Sequence, residues 1–198
     1  MPAPPPTSRQ RRLLERHLDE LDLWNRRLNL TTVPRERAWE RHTAEALSLL
    51  ASADLAEASR CADLGSGGGI PGVVVAIIRP DVRVTLIESD QRKAGFLVHV
   101  AGLLELANVT VAASRAEQLA QDPEHRESYD TVVSRAAAPP PRLWRLAAPL
   151  LRSQGTLWAL VSETDAAAAV AVMSGDPGAV PRQPAPGILS VTKRRLAG

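Results

Sequence analysis

The sequence predicts an α/β domain with a mostly parallel sheet and an N-terminal helical extension. Three observations carry this. A glycine-rich run, Asp63-Leu64-Gly65-Ser66-Gly67-Gly68-Gly69-Ile70-Pro71-Gly72, joins an apolar segment at 61–64 to a helical one at 73–79. From Cys61 onward, short apolar segments alternate with helical ones at the spacing of βαβ units, which build a parallel sheet covered on both faces. Before Cys61 lie two stretches with the apolar spacing of amphipathic helices.

In chain order, the opening proline-rich stretch predicts a disordered tail over 1–8. The extension then covers 9–58 and the sheet domain 59–198. A helix is expected over 9–30, where Leu14, Leu18, Leu21, Trp24 and Leu28 fall near helical spacing. A second is expected over about 35–50, after Pro34, which fits an N1 position, with Thr31 or Thr32 as a nearby cap. Arginines outnumber acids from Arg9 to Arg41, a mild basic bias equally consistent with a solvated helical face. Strands are expected at 60–64, 82–87, 109–113, 131–135, 155–161 and 188–193. The helices between them are expected at 70–79, 90–106, 116–121, 140–151 and 164–173. The Pro/Gly-rich segment 177–187 reads as a loop, and 188–191 as an antiparallel edge strand.

Composition narrows the function classes. The 198 residues are 44% hydrophobic but only 3% aromatic, so the core must be built from Ala, Leu and Val. A net charge of +2 is too small to announce a nucleic-acid partner. Cys61 is the single cysteine and the four histidines lack ligand spacing, so no metal is expected. No apolar run has the length of a membrane span and no signal peptide is visible, so the reading is a soluble cytoplasmic protein without a membrane partner. Nothing indicates an oligomer.

The glycine run is a ligand-binding turn. Its glycines let the backbone lie close to a ligand, and the following helix start presents free N–H groups. Glu88, at the end of the second strand and about 20 residues past the glycines, can accept both hydroxyls of a ribose. The glycines fit two registers. Gly67, Gly69 and Gly72 match a dinucleotide fingerprint; Gly65, Gly67 and Gly69 match a turn with Asp63 two residues ahead. A carboxylate at Asp63 would repel a pyrophosphate and attract an ammonium, which favours S-adenosylmethionine over NAD. Other strand ends carry Ser114, Arg115, Ala116 and Glu117, then Ser134 and Arg135. An arginine there pairs with an acid or meets an anion such as RNA phosphate.

The run with its Ile-Pro-Gly tail resembles the bacterial small-subunit ribosomal RNA guanine-N7 methyltransferases, formerly called glucose-inhibited division protein B. So do Trp24-Asn25 with Asn29-Leu30-Thr31-Thr32 and Arg41-His42, Glu88-Ser89 through Arg92-Lys93 to Phe96-Leu97, Ser114-Arg115-Ala116-Glu117, and Val133-Ser134-Arg135-Ala136. The resemblance spans about Leu21 to Leu160. It implies a Rossmann-like class I S-adenosylmethionine-dependent methyltransferase fold and methyl transfer to N7 of a guanine in 16S ribosomal RNA, free or in a small-subunit assembly intermediate. By match, Gly65, Ile70, Ala116, Glu117 and Arg135 take cofactor-contact positions, while Arg115, Arg92 and Lys93 serve RNA or site electrostatics. No catalytic acid–base residue is expected, because guanine N7 carries a lone pair and no proton.

Three departures stand out. Val161-Ser162 replaces the Lys-Gly usual after the fifth strand, Glu45-Ala46 replaces the Asp-Ser usual after Arg-His, and the basic tail after Arg195 is short. A small-molecule methyltransferase and a nonenzymatic S-adenosylmethionine-binding scaffold therefore remain alternatives, with an NAD oxidoreductase a distant fourth.

Overall fold

A computed structural model describes residues 5–53, 55–56, 59–135 and 137–195. The expected tail over 1–8 lies partly outside the described residues, and within them Thr7 already caps the first helix. Its Oγ1 accepts from the Gln10 N–H while the Gln10 side chain accepts from the Thr7 N–H, a reciprocal capping box. Helix α1 (Ser8–Leu28) ends at Asn29, whose φ of 50° is the left-handed conformation that stops a helix.

Pro34 stands just outside the next helix, as its cap residue and not its first turn. That helix runs as α2 (Arg35–Ala38), a π-helical turn (Trp39–Ala44) and α3 (Glu45–Ser52). Arg35 ties its start to α1 through Glu15 and Asp19, each at 2.8 Å.

The sheet domain follows as β1 (Arg60–Leu64), α4 (Gly72–Ile78), β2 (Arg83–Ile87), α5 (Gln91–Leu103), β3 (Val109–Ala112) and α6 (Ala116–Leu119). It continues with β4 (Tyr129–Arg135), α7 (Pro140–Ala147), β5 (Leu151–Leu160), α8 (Glu163–Met173), β6 (Ala179–Ala185) and β7 (Ile188–Lys193). The seven strands form one sheet in the order β3-β2-β1-β4-β5-β7-β6. Strands β1 to β5 pair in parallel, and β7 is antiparallel to both β5 and β6.

The pleat sends alternate residues to opposite faces, and each face has its own core. Cys61, Val84, Leu86 and Val133 join α1, α3, α4 and α5 on one face. Ala62, Ile87, Val132, Leu157 and Ala159 join α7 and α8 on the other. The N-terminal helices are thus part of a sheet face: Leu14, Leu18 and Leu21 of α1 are buried against the same core as α4 and α5.

The segment over 177–187 departs from expectation. It contains β6, despite Pro181 and Pro184, so β7 is not the sheet edge. Proline is tolerated here because β6 is the outermost strand, and its register with β7 shifts between Arg182 and Ala185. The helix expected over 116–121 is a single turn.

Candidate active site

Strand order reverses between β1 and β4, and ligands of such sheets bind in the crevice outside the strand carboxyl ends at that reversal. The glycine turn leaves β1 there. Gly65 N–H and Ser66 N–H both donate to the Ile87 carbonyl at 3.0 Å, binding the turn to the end of β2. Glu88, the next residue, accepts from Gly67 N–H through Oε2 at 2.9 Å and from Asp90 N–H through Oε1 at 2.8 Å. Gly65, Gly67 and Gly69 have φ of 72°, 51° and 82°, the region glycine adopts most readily.

The turn floors a cavity of about 330 Å³, lined by Gly65 to Gly68 and Ile70 from the turn, Asn29 to Val33 after α1, His42 and Arg135. The wall after α1 is tightly hydrogen-bonded. The Asn25 side chain donates to the Thr31 carbonyl at 2.8 Å and accepts from Thr31 N–H at 2.9 Å. Thr31 Oγ1 lies 2.9 Å from His42 Nε2, and His42 Nδ1 faces the Arg135 guanidinium. His42 Nδ1 also lies 3.1 Å from the Arg41 carbonyl, so this nitrogen faces both a donor, Arg135, and an acceptor. Burial first, and Arg135 second, push the His42 pKa down to about 4, so the imidazole is neutral at physiological pH. Arg135 also faces Glu45 at 3.5 Å. A second cavity, about 430 Å³, opens on the far side of Arg135, between α3, the end of β5 and the β6–β7 turn.

A family model described as rRNA small subunit methyltransferase G (GidB) matches residues 10–173. The chain belongs to that family. Ribosomal RNA small subunit methyltransferase G of Roseiflexus castenholzii is 42% identical over 148 residues, covering 74% of this chain and 63% of that protein. The protein of the same name from Sorangium cellulosum is 44% identical over 142 residues, covering 70% of this chain and 59% of its own length. The chain therefore matches about three fifths of the length of these curated relatives. Among solved structures, the precorrin-6y C5,15-methyltransferase of Geobacter metallireducens aligns with TM-score 0.58 at 17% identity over 75% of this chain and 88% of its own. A mutant of MtNAS, in complex with S-adenosylmethionine, aligns with TM-score 0.61 at 16% identity over 94% and 76%. Such likenesses speak to fold: this is the class I methyltransferase architecture.

Within this chain, Gly65, Gly67, Ile70 and Arg135 meet at the first cavity as a group. Five of the expected cofactor residues, Asp63, Gly69, Glu88, Ala116 and Glu117, do not line it. Asp63 is fully buried beneath the turn, where its Oδ2 accepts from Gly72 N–H at 3.0 Å. It braces the turn against the start of α4 and does not reach the cavity. Burial pushes its pKa up to about 7, against the pull of the Gly72 and Ser66 hydrogen bonds, and its Oδ1 has no partner among the described residues. Gly69 also faces inward: a Cβ there would lie 2.6 Å from Val73 Cγ2 and 3.1 Å from His17 Nε2. Its smallness serves packing, as does that of Gly68, whose Cβ would lie 2.7 Å from Leu21 Cδ1 of α1.

Glu88 is nearly buried at the end of β2. Ala116, buried, and Glu117, exposed, open α6 beyond the end of β3. Arg115 is exposed just before α6, with its backbone N–H donating to Gln118 Oε1 at 3.4 Å. Arg92 and Lys93 open α5, where the Asp90 side chain caps both their N–H groups. The exposed Arg92 guanidinium sits 3.7 Å from Asp90. These three basic residues follow β2 and β3 and line neither cavity.

Sequence reasoning missed the contribution of the N-terminal helices. His42 and Glu45 meet Arg135, Thr31 and Asn25 stand behind His42, and His17 of α1 lies 2.8 Å from the Gly68 carbonyl. The scattered histidines look idle in one dimension. The signal was the pairing of Trp24-Asn25 with Thr31 and Arg41-His42, which carried part of the family resemblance.

Proposed function

We propose that this chain transfers a methyl group from S-adenosylmethionine to N7 of a guanine in 16S ribosomal RNA. The observation that carries the reading is the glycine-floored cavity at the β1/β4 reversal, with Glu88 at its flank, in a chain of the rRNA small subunit methyltransferase G family. The cavity has the size of a ligand site.

The residues present fit the cofactor. Each Glu88 oxygen holds one backbone N–H and keeps a further lone-pair direction for a ribose hydroxyl. A Cβ on Gly67 would meet nothing nearer than the Gly65 carbonyl at 3.8 Å, so the turn leaves open space on its cavity side. Arg135 supplies the positive charge that an anionic carboxylate requires; burial lowers its pKa, and the guanidinium stays charged.

S-adenosylmethionine, when bound, supplies a methyl group on a positively charged sulfur. Guanine N7 offers a lone pair without a proton, so no side chain has to remove one. What the chain contributes is alignment and exclusion of water. Holding reacting groups in line can supply about 7–11 kcal/mol of a barrier. The Asn25–Thr31–His42–Arg135 hydrogen-bonded wall is a rigid means of doing so.

Two measurements test the reading. Calorimetry should show S-adenosylmethionine binding with no comparable response to NADH. Tritium from methyl-labelled cofactor should be retained on 16S RNA, with reverse-transcription mapping placing it at a guanine N7. Binding of the cofactor with no transfer to RNA would favour the small-molecule or scaffold alternative.

A further inference from the structure

Arg135 stands between two cavities, and only one of them contains the glycine turn. The second is walled by Arg41, Glu45 and Ser48 on the helical side and by Leu160, Val161 and Ile188 on the sheet side. It lies at the carboxyl ends of β4 and β5, beside the strand reversal. At about 430 Å³ it has the capacity of a ligand site, with an apolar wall facing a polar one. A nucleobase needs that division: a face to lie on and edge partners to read.

The polar wall has one anionic acceptor. Arg41 Nε donates to Glu45 Oε1 at 3.1 Å, and Arg135 approaches Glu45 Oε2 at 3.5 Å. These two arginines fix the carboxylate and use one direction on each oxygen, whereas a carboxylate offers about four lone-pair sites. Guanine is the base that matches what remains. Its Watson–Crick edge carries two adjacent donors, N1–H and the 2-amino group, which one carboxylate accepts side by side. Adenine would turn the N1 lone pair toward the same carboxylate and be repelled. A base held by that edge has its N7 on the opposite side, free of the contact.

We propose that this second cavity is the base subsite and that Glu45 selects guanine by accepting from N1–H and the 2-amino group. The proposal rests on the reading of the chain as a guanine-N7 methyltransferase and names the residue that makes it guanine-specific. The glycine-turn cavity and the base subsite then share Arg135 as their common wall, so cofactor and base meet beside one side chain.

The experiment compares 16S RNA carrying guanosine or inosine at the mapped target position, by single-turnover methylation. Inosine lacks only the 2-amino group. Losing one charge-assisted hydrogen bond should make the wild type about 10- to 100-fold slower on inosine. Glu45→Gln, whose amide cannot accept from both donors at once, should shrink that preference to within about threefold. Glu45→Asp, which keeps the charge, should prefer guanosine as the wild type does. If Glu45 serves only to hold Arg135, Glu45→Gln will slow both RNAs equally and leave the preference intact, which overturns the proposal. A wild type indifferent to the 2-amino group overturns it without any variant. Absence of methylation on either RNA overturns the proposed function and this inference together, whereas methylation with unchanged discrimination overturns this inference alone.

Discussion

Replacing Asp63 by Asn should make the protein more stable at alkaline pH than at acidic pH, relative to wild type. Asp63 is fully buried, with one oxygen on Gly72 N–H and the other without a partner among the described residues. Its pKa rises from 3.8 to about 7 on folding, chiefly through burial. A carboxyl group with a raised folded pKa binds more protons in the native than in the unfolded state between those two values. Stability is therefore lost as pH rises from about 4 to about 7, and is level above that. The full shift corresponds to about 4 kcal/mol. Asn keeps the acceptor for Gly72 and carries no charge, so subtracting the two proteins' unfolding free energies removes the contribution of every other titrating group. The Asn variant's advantage should grow by about 2–3 kcal/mol between pH 5 and pH 8. Urea denaturation at both pH values measures it. A difference that stays constant with pH would refute the buried carboxylate beneath the turn.

Three further outcomes follow from the geometry. His17, fully buried with a pKa lowered to about 4 by burial, gives stability that is present above pH 6.5 and lost as pH falls toward 4, so His17→Gln should flatten the acid limb of a pH–stability curve. Gly72→Ala would place a Cβ 2.4 Å from Leu86 Cδ2 and 2.5 Å from Asp63 Oδ2, and this overpacking should cost about 1–3 kcal/mol in denaturant titration while displacing the carboxylate from the Gly72 N–H. Val161→Lys would keep an aliphatic stem on the wall of the second cavity while its ammonium attracts RNA phosphate, and should raise the single-turnover rate on 16S RNA.

The fold was legible because its signals are local. Hydrophobic alternation and glycine punctuation located the parallel strands, and β1 and β4 match the expected spans closely. The edge strand β6 was not legible, since Pro181 and Pro184 argue against a strand unless its place at the sheet margin is already known. At the site, Gly65, Gly67 and Arg135 could be read from strand ends. Asp63 and Gly69 lie apart from the cavity lining, because spacing does not tell which side of a turn faces the cavity: Asp63 turns under to Gly72, and Gly69 is enclosed by Val73 and His17. His42 and Glu45 were missed for another reason. They come from helices 90 or more residues before Arg135, and only tertiary packing brings them to it.

The central claim is that this chain methylates guanine N7 in 16S ribosomal RNA, and mapping the product tests it most directly. Purified protein, methyl-labelled S-adenosylmethionine and 16S RNA, free or in small-subunit particles from cells lacking the modification, should give label at one guanine. Cleavage chemistry specific for N7-methylguanine should then interrupt reverse transcription at that position. Label retained at another atom or another base, or no label on RNA from a protein that binds the cofactor, would contradict the account.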